Sequence, residues 1–559
     1  MTDTSSINTL VLAAVGSAAA LAGLQKVRAR VELSLAKHRS LAGHPRTARR
    51  IAGWLPTYYY GAEQALGVDG APAAVIALRK QSIERLVAHA RQHYAKSLAA
   101  GAEVLDSLSD LQFISAYRVP FQFRELAAQG LKIGSFMASS AGVTLTDLDG
   151  NVFYDLTGSY GVNLFGNDFY KKCMDEGSAL VRDLGPVLGS YHPVVLDNVR
   201  RLKAISGMDE MTFHMSGTEA VMQAVRLARF HTGRKKIVRF CGSYHGWWGD
   251  VQPGIGNPVP AKDTFNFSEM SPAALHALRR RKDIACILIN PLQALHPNAA
   301  APSDGALVDS SRKAHFDRAA YTAWLQTLRK ICDEKGIALI MDEVFLGFRL
   351  ARGGAQEYFG VRADMVTYGK TLGGGFPIGV VCGRHAWMKR FREGSPADIC
   401  FARGTFNAHP YVMGAMNVFL QRLDGADIRA CYAQADAVWD ARAKHFNAAL
   451  QAAGVPVQVA AMASVWTVTY TQPACFNWLF QHYLRREGIA LSWVGTGRII
   501  FSLNFTDAEF VQVTQAFVRA ALAMQADGWW WSDGTCTNKL IRRRIFKEML
   551  AVKLGKKTV

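Results

Sequence analysis

The apolar run Ile337-Ala338-Leu339-Ile340-Met341 ends abruptly on Asp342-Glu343-Val344. A second run, Ile284-Ala285-Cys286-Ile287-Leu288-Ile289, lies upstream, and residues 313 to 335 between them space their apolar positions as a helix does. Continuous apolar strands separated by helices are buried on both faces, which calls for a mostly parallel sheet with helices on either side. Open α/β sheets of this kind place ligands beyond the carboxyl ends of their strands, where Asp342 stands. With 559 residues, 50% of them hydrophobic, the chain can bury a large core and exceeds what one domain needs.

Lys370 follows Asp342 by 28 residues, within Tyr368-Gly369-Lys370-Thr371-Leu372-Gly373-Gly374-Gly375. Pyridoxal phosphate chemistry needs an amine to hold the cofactor aldehyde and move protons, and a carboxylate to keep the pyridine nitrogen protonated. Lys370 and Asp342 are that pair. Upstream, Met215-Ser216-Gly217-Thr218-Glu219-Ala220 opens a run in which Val221, Ala224, Val225 and Ala228 recur at helical spacing. Small residues at a helix start bring backbone N–H groups to a phosphate, so Ser216, Gly217 and Thr218 are candidate phosphate ligands.

These segments, with Gly347-Phe348-Arg349, Phe376-Pro377-Ile378-Gly379 and Gly242-Ser243-Tyr244-His245-Gly246, resemble the class III aminotransferases over about residues 135 to 525. Within that family they are most similar to glutamate-1-semialdehyde aminomutase-like proteins. The resemblance implies an α/β, fold type I pyridoxal-phosphate transferase: a large domain over 135–424 and a small C-terminal α/β domain over 425–525. It implies Lys370 as the Schiff-base lysine and Asp342 as partner of the ring nitrogen. Tyr244 would stack on the ring with Val344 on its other face. Thr405, in Arg403-Gly404-Thr405-Phe406-Asn407, would reach a phosphate across a homodimer interface. Ser159 and Tyr160, in Gly158-Ser159-Tyr160-Gly161, would line the substrate entrance. The implied reaction moves an amino group from a small-molecule donor to an aldehyde or ketone.

Two departures bear on the substrate. Where the family usually reads Glu-Pro-Val, this chain has Asn290-Pro291-Leu292-Gln293, an amide in place of an acid. The aminomutase's Pro-Val-Arg motif, whose arginine holds the substrate carboxylate, is absent before Asp147-Leu148-Asp149-Gly150. A carboxylate buried without a cation is strongly disfavoured. The expected acceptor is therefore apolar or lipid-like, with an aminomutase making 5-aminolevulinate as the alternative. A catalytically silent membrane scaffold of the same fold is the reading from another class, and it would not need an intact Lys370 and Asp342.

The formal charge of +19 gathers at the ends. Residues 26–50 hold eight Lys and Arg against Glu32, and residues 539–557 hold eight against Glu548, +7 each. Ile7 to Leu24 is uncharged and rich in Leu, Val and Ala, which predicts a transmembrane or membrane-inserted helix over residues 1–25. Because the arginines follow this stretch, the catalytic body is expected in the cytoplasm. Residues 26–134 read as a basic, helical adaptor and 526–559 as a basic, aromatic tail. Trp54, Tyr58-Tyr59-Tyr60 and Trp529-Trp530-Trp531 are the aromatics expected at a bilayer surface. Ile541, Ile545, Met549 and Val552 fall on one helical face suited to anionic lipid. Lipid rather than nucleic acid is thus the expected anionic partner. The nine cysteines form no C-x-x-C pair and no Cys/His metal spacing, so free thiols and no structural metal are expected.

Overall fold

The computed structural model describes residues 4–134, 136–252, 254–259, 261–299, 307–492 and 495–555, with backbone alone at 4–13 and 16. Among these residues, seven strands form the central sheet in the order Glu210–His214, Gly379–Gly383, Met365–Gly369, Ala338–Asp342, Ile284–Ile289, Lys236–Phe240 and Thr264–Phe267. All neighbours pair in parallel except Gly379–Gly383, which runs antiparallel to both of its partners. Every residue of Ile284–Ile289 and Ala338–Asp342 is buried, which accounts for their unbroken apolar character. The helices Gly217–Thr232 and Arg318–Lys335 turn buried stripes inward beside the sheet.

Towards the C terminus, Val457–Met462, Val465–Tyr470 and Arg498–Ile500 form an antiparallel sheet, and Trp466 packs against Phe446, Phe501 and Phe510 at its centre. The strands Met137–Ala141, Thr144–Asp147 and Val152–Asp155 join Ile489–Ala490 in one sheet, so the start of the stretch expected as the large domain pairs with the C-terminal part.

The expected membrane segment is helical, within a helix running from Thr4 to Ala36. Among the described residues, however, no helix is long and apolar enough to cross a membrane; the side chains of Ile7 to Ala13 lie outside them. The end of the helix and the turn after it meet the body: the Ala36 carbonyl accepts the Ser268 N–H at 2.7 Å, and the Ala42 carbonyl accepts from the Asn266 amide. The chain thereby covers the edge strand Thr264–Phe267, whose open ladder would otherwise invite pairing with another molecule.

Most of the aromatics expected at a lipid surface are core residues. Tyr58 and Tyr60 are buried and donate to Glu548 Oε2 at 2.8 and 2.7 Å. Trp529 and Trp530 are buried too, donating to Ser82 Oγ at 2.9 Å and Asn477 Oδ1 at 3.0 Å. A phenol or indole carries a polar handle that a buried acceptor satisfies as well as a headgroup does. Likewise Ile541 is buried, and Ile545, Met549 and Val552 pack on the protein core, so this face of the helix Asn538–Lys553 is occupied by the chain itself. Arg79, fully buried, ties the adaptor to the tail: it meets Asp69 through two contacts of 2.7 and 2.6 Å and donates to the Gly528 carbonyl.

Candidate active site

Asp342 is the last residue of its strand and is nearly inaccessible. Three donors hold its carboxylate: His245 Nδ1 at 2.8 Å from Oδ2, Thr367 Oγ1 at 3.1 Å from Oδ1, and the Val344 N–H at 3.2 Å from Oδ1. A carboxylate acceptor requires the proton on Nδ1, which leaves His245 Nε2 as a buried acceptor without a partner among the described residues. Burial lowers the His245 pKa, with Asp342 opposing that shift, so the ring is a neutral hydrogen-bond donor. The carboxylate is fixed in place by one neighbouring strand, the turn that follows its own strand and one loop.

Lys370 follows the strand Met365–Gly369 and opens a short 3₁₀ turn with φ +49, a conformation that disfavours a bulky side chain. Its Nζ lies 4.5 Å from the Phe345 ring centre. Burial, with the positive charges of Arg498 and Arg349, lowers its pKa to about 7, while Asp342 acts in the opposite sense. A lysine so placed is largely a neutral amine at physiological pH, the form that attacks a carbonyl. Thr371, next in the chain, bonds to Tyr170 and anchors the turn.

Ser216 caps the helix Gly217–Thr232 by accepting the Glu219 N–H at 3.3 Å. The first N–H groups of a helix have no partner within it and face whatever lies at its N terminus. A Cβ at Gly217 would stand 2.6 Å from Val344 Cγ1, so only glycine admits Val344 beside this helix start. Tyr244 is 57% exposed, leaving its ring free to cover a planar ligand. Its carbonyl accepts the Asn290 amide N–H at 2.8 Å. The amide noted in the sequence thus holds the Tyr244 loop through a donor that a carboxylate lacks.

The expected substrate segment also reaches this centre. Ser159 and Tyr160 have φ +45 and +57, flanked by Gly158 and Gly161 at +50 and +99. A Cβ on Gly161 would lie 3.0 Å from the Phe345 ring and 3.5 Å from Lys370 Cδ, so the turn and the lysine are in close contact. The turn is held by Asp155, whose Oδ1 accepts both the N–H and hydroxyl of Thr157 at 2.9 and 2.6 Å. Thr405 is the exception. It is exposed, on a cavity of about 1030 Å³ with Tyr191, Phe213 and Arg390, and joins none of the groups around Lys370 within one protomer.

Arg498 is the residue that sequence reasoning missed. It starts the strand Arg498–Ile500, and its guanidinium lies 5.5 Å from the centre of the same Phe345 ring that faces Lys370. Nη2 meets His296 Nε2 at 3.1 Å, and Nε is buried without a partner among the described residues. Burial lowers the Arg498 pKa to about 10, and burial with Arg498 and Arg312 lowers that of His296 to about 3, so the side-chain hydrogen-bond partner it has among the described residues is neutral. Arg349, from the Gly347-Phe348-Arg349 motif, bridges the parts by donating to Asn163 O, Ser464 Oγ and Phe501 O at 3.1, 2.9 and 2.7 Å. The motif itself offered the signal for Arg349. Arg498 stands in no motif that was sought; only the Gly495-Thr496-Gly497 turn before it marked the strand.

The residues present fit pyridoxal phosphate. A helix N terminus suits the phosphate, an exposed aromatic and Val344 suit the ring faces, a fixed carboxylate suits the pyridine nitrogen, and an uncharged amine suits the aldehyde. At the carboxyl edge of a largely parallel sheet, this set defines a fold type I pyridoxal-phosphate transferase. Residues 126–521 match the Aminotransferase class-III family model, and the chain belongs to that family, whose cofactor is pyridoxal phosphate. It is 33% identical over 346 residues to glutamate-1-semialdehyde 2,1-aminomutase of Nitratidesulfovibrio vulgaris strain DP4, a match spanning 60% of this chain and 77% of the relative. Against the enzyme of that name from strain Miyazaki F, identity is 32% over 409 residues, spanning 68% and 90%. A transaminase solved with PLP bound superposes with TM-score 0.62 at 26% identity, covering 78% of this chain and 99% of that one. A glutamate-1-semialdehyde-aminomutase of Pseudomonas aeruginosa PAO1 shares the fold, with TM-score 0.64 at 17% identity over 80% and 99%.

Proposed function

We propose that this enzyme exchanges an amino group between a carboxylate-bearing amine and an aldehyde or ketone, with Lys370 as the exchanging amine and Arg498 as the seat of the carboxylate. Arg498 carries this reading. Among the described residues, this partly buried guanidinium has one neutral side-chain hydrogen-bond partner and an unpaired Nε, which makes it an uncompensated cation beside the reacting amine. An anionic substrate would supply the missing charge. The lipid-like acceptor expected from the sequence rested in part on the lack of such an arginine, and Arg498 offers one.

Pyridoxal phosphate, when bound, supplies the aldehyde carbon that accepts the amine and the ring that withdraws electrons. Lys370 Nζ, its pKa lowered to about 7, would hold the cofactor through its amine and is placed to move a proton at the reacting end. Asp342 would face the ring nitrogen, and His245 holds the carboxylate in orientation. Ser216, Gly217 and Thr218 would hold the phosphate, while Tyr244 and Val344 would confine the ring. Ser159, Tyr160 and Phe345 enclose the reacting end with Arg498. Thr405 completes the phosphate site of a second copy in a homodimer, a reading supported by its exposure beside the exposed rings of Tyr191, Phe401 and Phe406.

The aminomutase reading is the alternative, favoured by the relatives named above. Its substrate also bears a carboxylate, so Arg498 serves both. Borohydride reduction followed by peptide mapping tests the shared core: the cofactor should be fixed to Lys370, and a label on another lysine overturns the assignment. Supplying glutamate-1-semialdehyde alone separates the two readings, since only a mutase converts it without a second amine or carbonyl compound.

A further inference from the structure

The two basic ends of the chain fold onto one another. Tyr58 and Tyr60 hold Glu548, and Lys553 Nζ lies 5.1 Å from the Trp54 ring, so the segment after helix Pro45–Ala52 meets the last turn of helix Asn538–Lys553. Charge dispersed in sequence becomes a single basic region, with Arg46 and Arg50 on one side of the junction and Arg543 and Lys547 on the other, all exposed.

Large apolar side chains stand exposed among these cations. The C-terminal helix turns Ile541 inward, yet leaves Phe546, Leu550 and Leu554 in solvent, at 63%, 43% and 64% exposure. The N-terminal helix behaves alike. Leu24, Val27, Val31 and Leu35 recur every three to four residues as one exposed stripe, flanked by Lys26, Arg28 and Arg30. Trp54, 60% exposed, lies where the two ends meet.

We infer that this composite face seats the enzyme on an anionic lipid bilayer as a peripheral protein. An interfacial layer offers phosphates to the cations and an apolar boundary to Phe546, Leu550, Leu554 and Trp54, satisfying both at once. Nucleic acid would answer the charge and leave the apolar side chains in water. A second copy would bring like charge against like. The side chains that carry the inference stand exposed on the folded body, so the attachment inferred is to the bilayer surface. The inference is independent of the amino-transfer chemistry.

Flotation of the full-length holoenzyme with vesicles tests it. Phosphatidylcholine vesicles carrying phosphatidylglycerol should float the protein at about 0.1 M salt, pure phosphatidylcholine should not, and higher salt should release it. Arg543→Glu/Lys547→Glu and Phe546→Ser/Leu550→Ser should each lower binding about tenfold or more, with unchanged turnover reporting intact folding. Equal binding to neutral vesicles, or wild-type binding by both variants, overturns the inference. So does a DNA duplex bound at concentrations where vesicles are ignored, or an oligomer lost in Phe546→Ser/Leu550→Ser without any vesicle binding.

Discussion

The two walls around Lys370 are built on opposite terms. On one side the Asp342 carboxylate accepts from His245, Thr367 and the Val344 backbone and has no freedom left. On the other, Arg498 has His296 as its side-chain hydrogen-bond partner and a buried Nε with none. Polar groups that serve a resident cofactor can be satisfied in advance by the protein, because their partner never leaves. A group that must bind and release a substrate is left unpaired until the substrate arrives, at the expense of stability. The difference in hydrogen bonding thus separates the cofactor half of the pocket from the substrate half.

The largest test of the closed half is Lys370→Ala. Loss of the amine should lower turnover by ~10³–10⁴-fold while the fold persists, measured as kcat with circular dichroism as control. Asp342→Asn comes next, with a loss of ~10²–10³-fold in kcat for removal of one fixed charge at the reacting ring. Near wild-type kcat would mean that the carboxylate only supports the fold.

The open half gives a different signature. Arg498→Met should lower kcat/KM by about 10²-fold for amines that carry a carboxylate, because a buried charge pair loses one partner. The same substitution should move the titration of Lys370. A neighbouring cation disfavours the ammonium form, so its removal raises the lysine pKa from about 7. Capture of added pyridoxal phosphate by the apoprotein, which needs the free amine, should rise through about pH 7 in the wild type and at higher pH in Arg498→Met. An unmoved midpoint would place Arg498 too far from Lys370 to matter.

The smallest effect concerns stability without cofactor. Between about 7 and 10.5 the unfolded lysine binds a proton that the folded one does not, so this position favours folding less as pH falls through that window. Lys370→Met should flatten that part of the pH dependence of apoprotein Tm.

What could be read from the sequence was whatever short stretches carry by themselves. Strands Ile284–Ile289 and Ala338–Asp342, the helix start at Ser216, the Lys370 turn and the Tyr244-His245-Gly246 segment are set by local apolar runs, glycines and a cap. Arg498 was not legible, because only the pairing of its strand with Val465–Tyr470 brings it to Phe345. Tyr58 and Tyr60 misled for the same reason: Glu548 lies 490 and 488 residues away, and nothing adjacent marks a partner so distant. An amphipathic ring looks alike in sequence whether it meets a headgroup or a buried carboxylate.

A single-turnover comparison of amines tests the central claim most directly. The pyridoxal-phosphate-loaded wild type and Arg498→Met would each be mixed with an α-amino acid and with an alkylamine of the same length but no carboxylate, following the change in cofactor absorbance. The account predicts that the wild type prefers the amino acid strongly, and that Arg498→Met loses most of that preference while reacting with the alkylamine as before. Equal preference in the two proteins would show that Arg498 does not receive the substrate, and the division of the pocket into a filled half and a waiting half would fail with it.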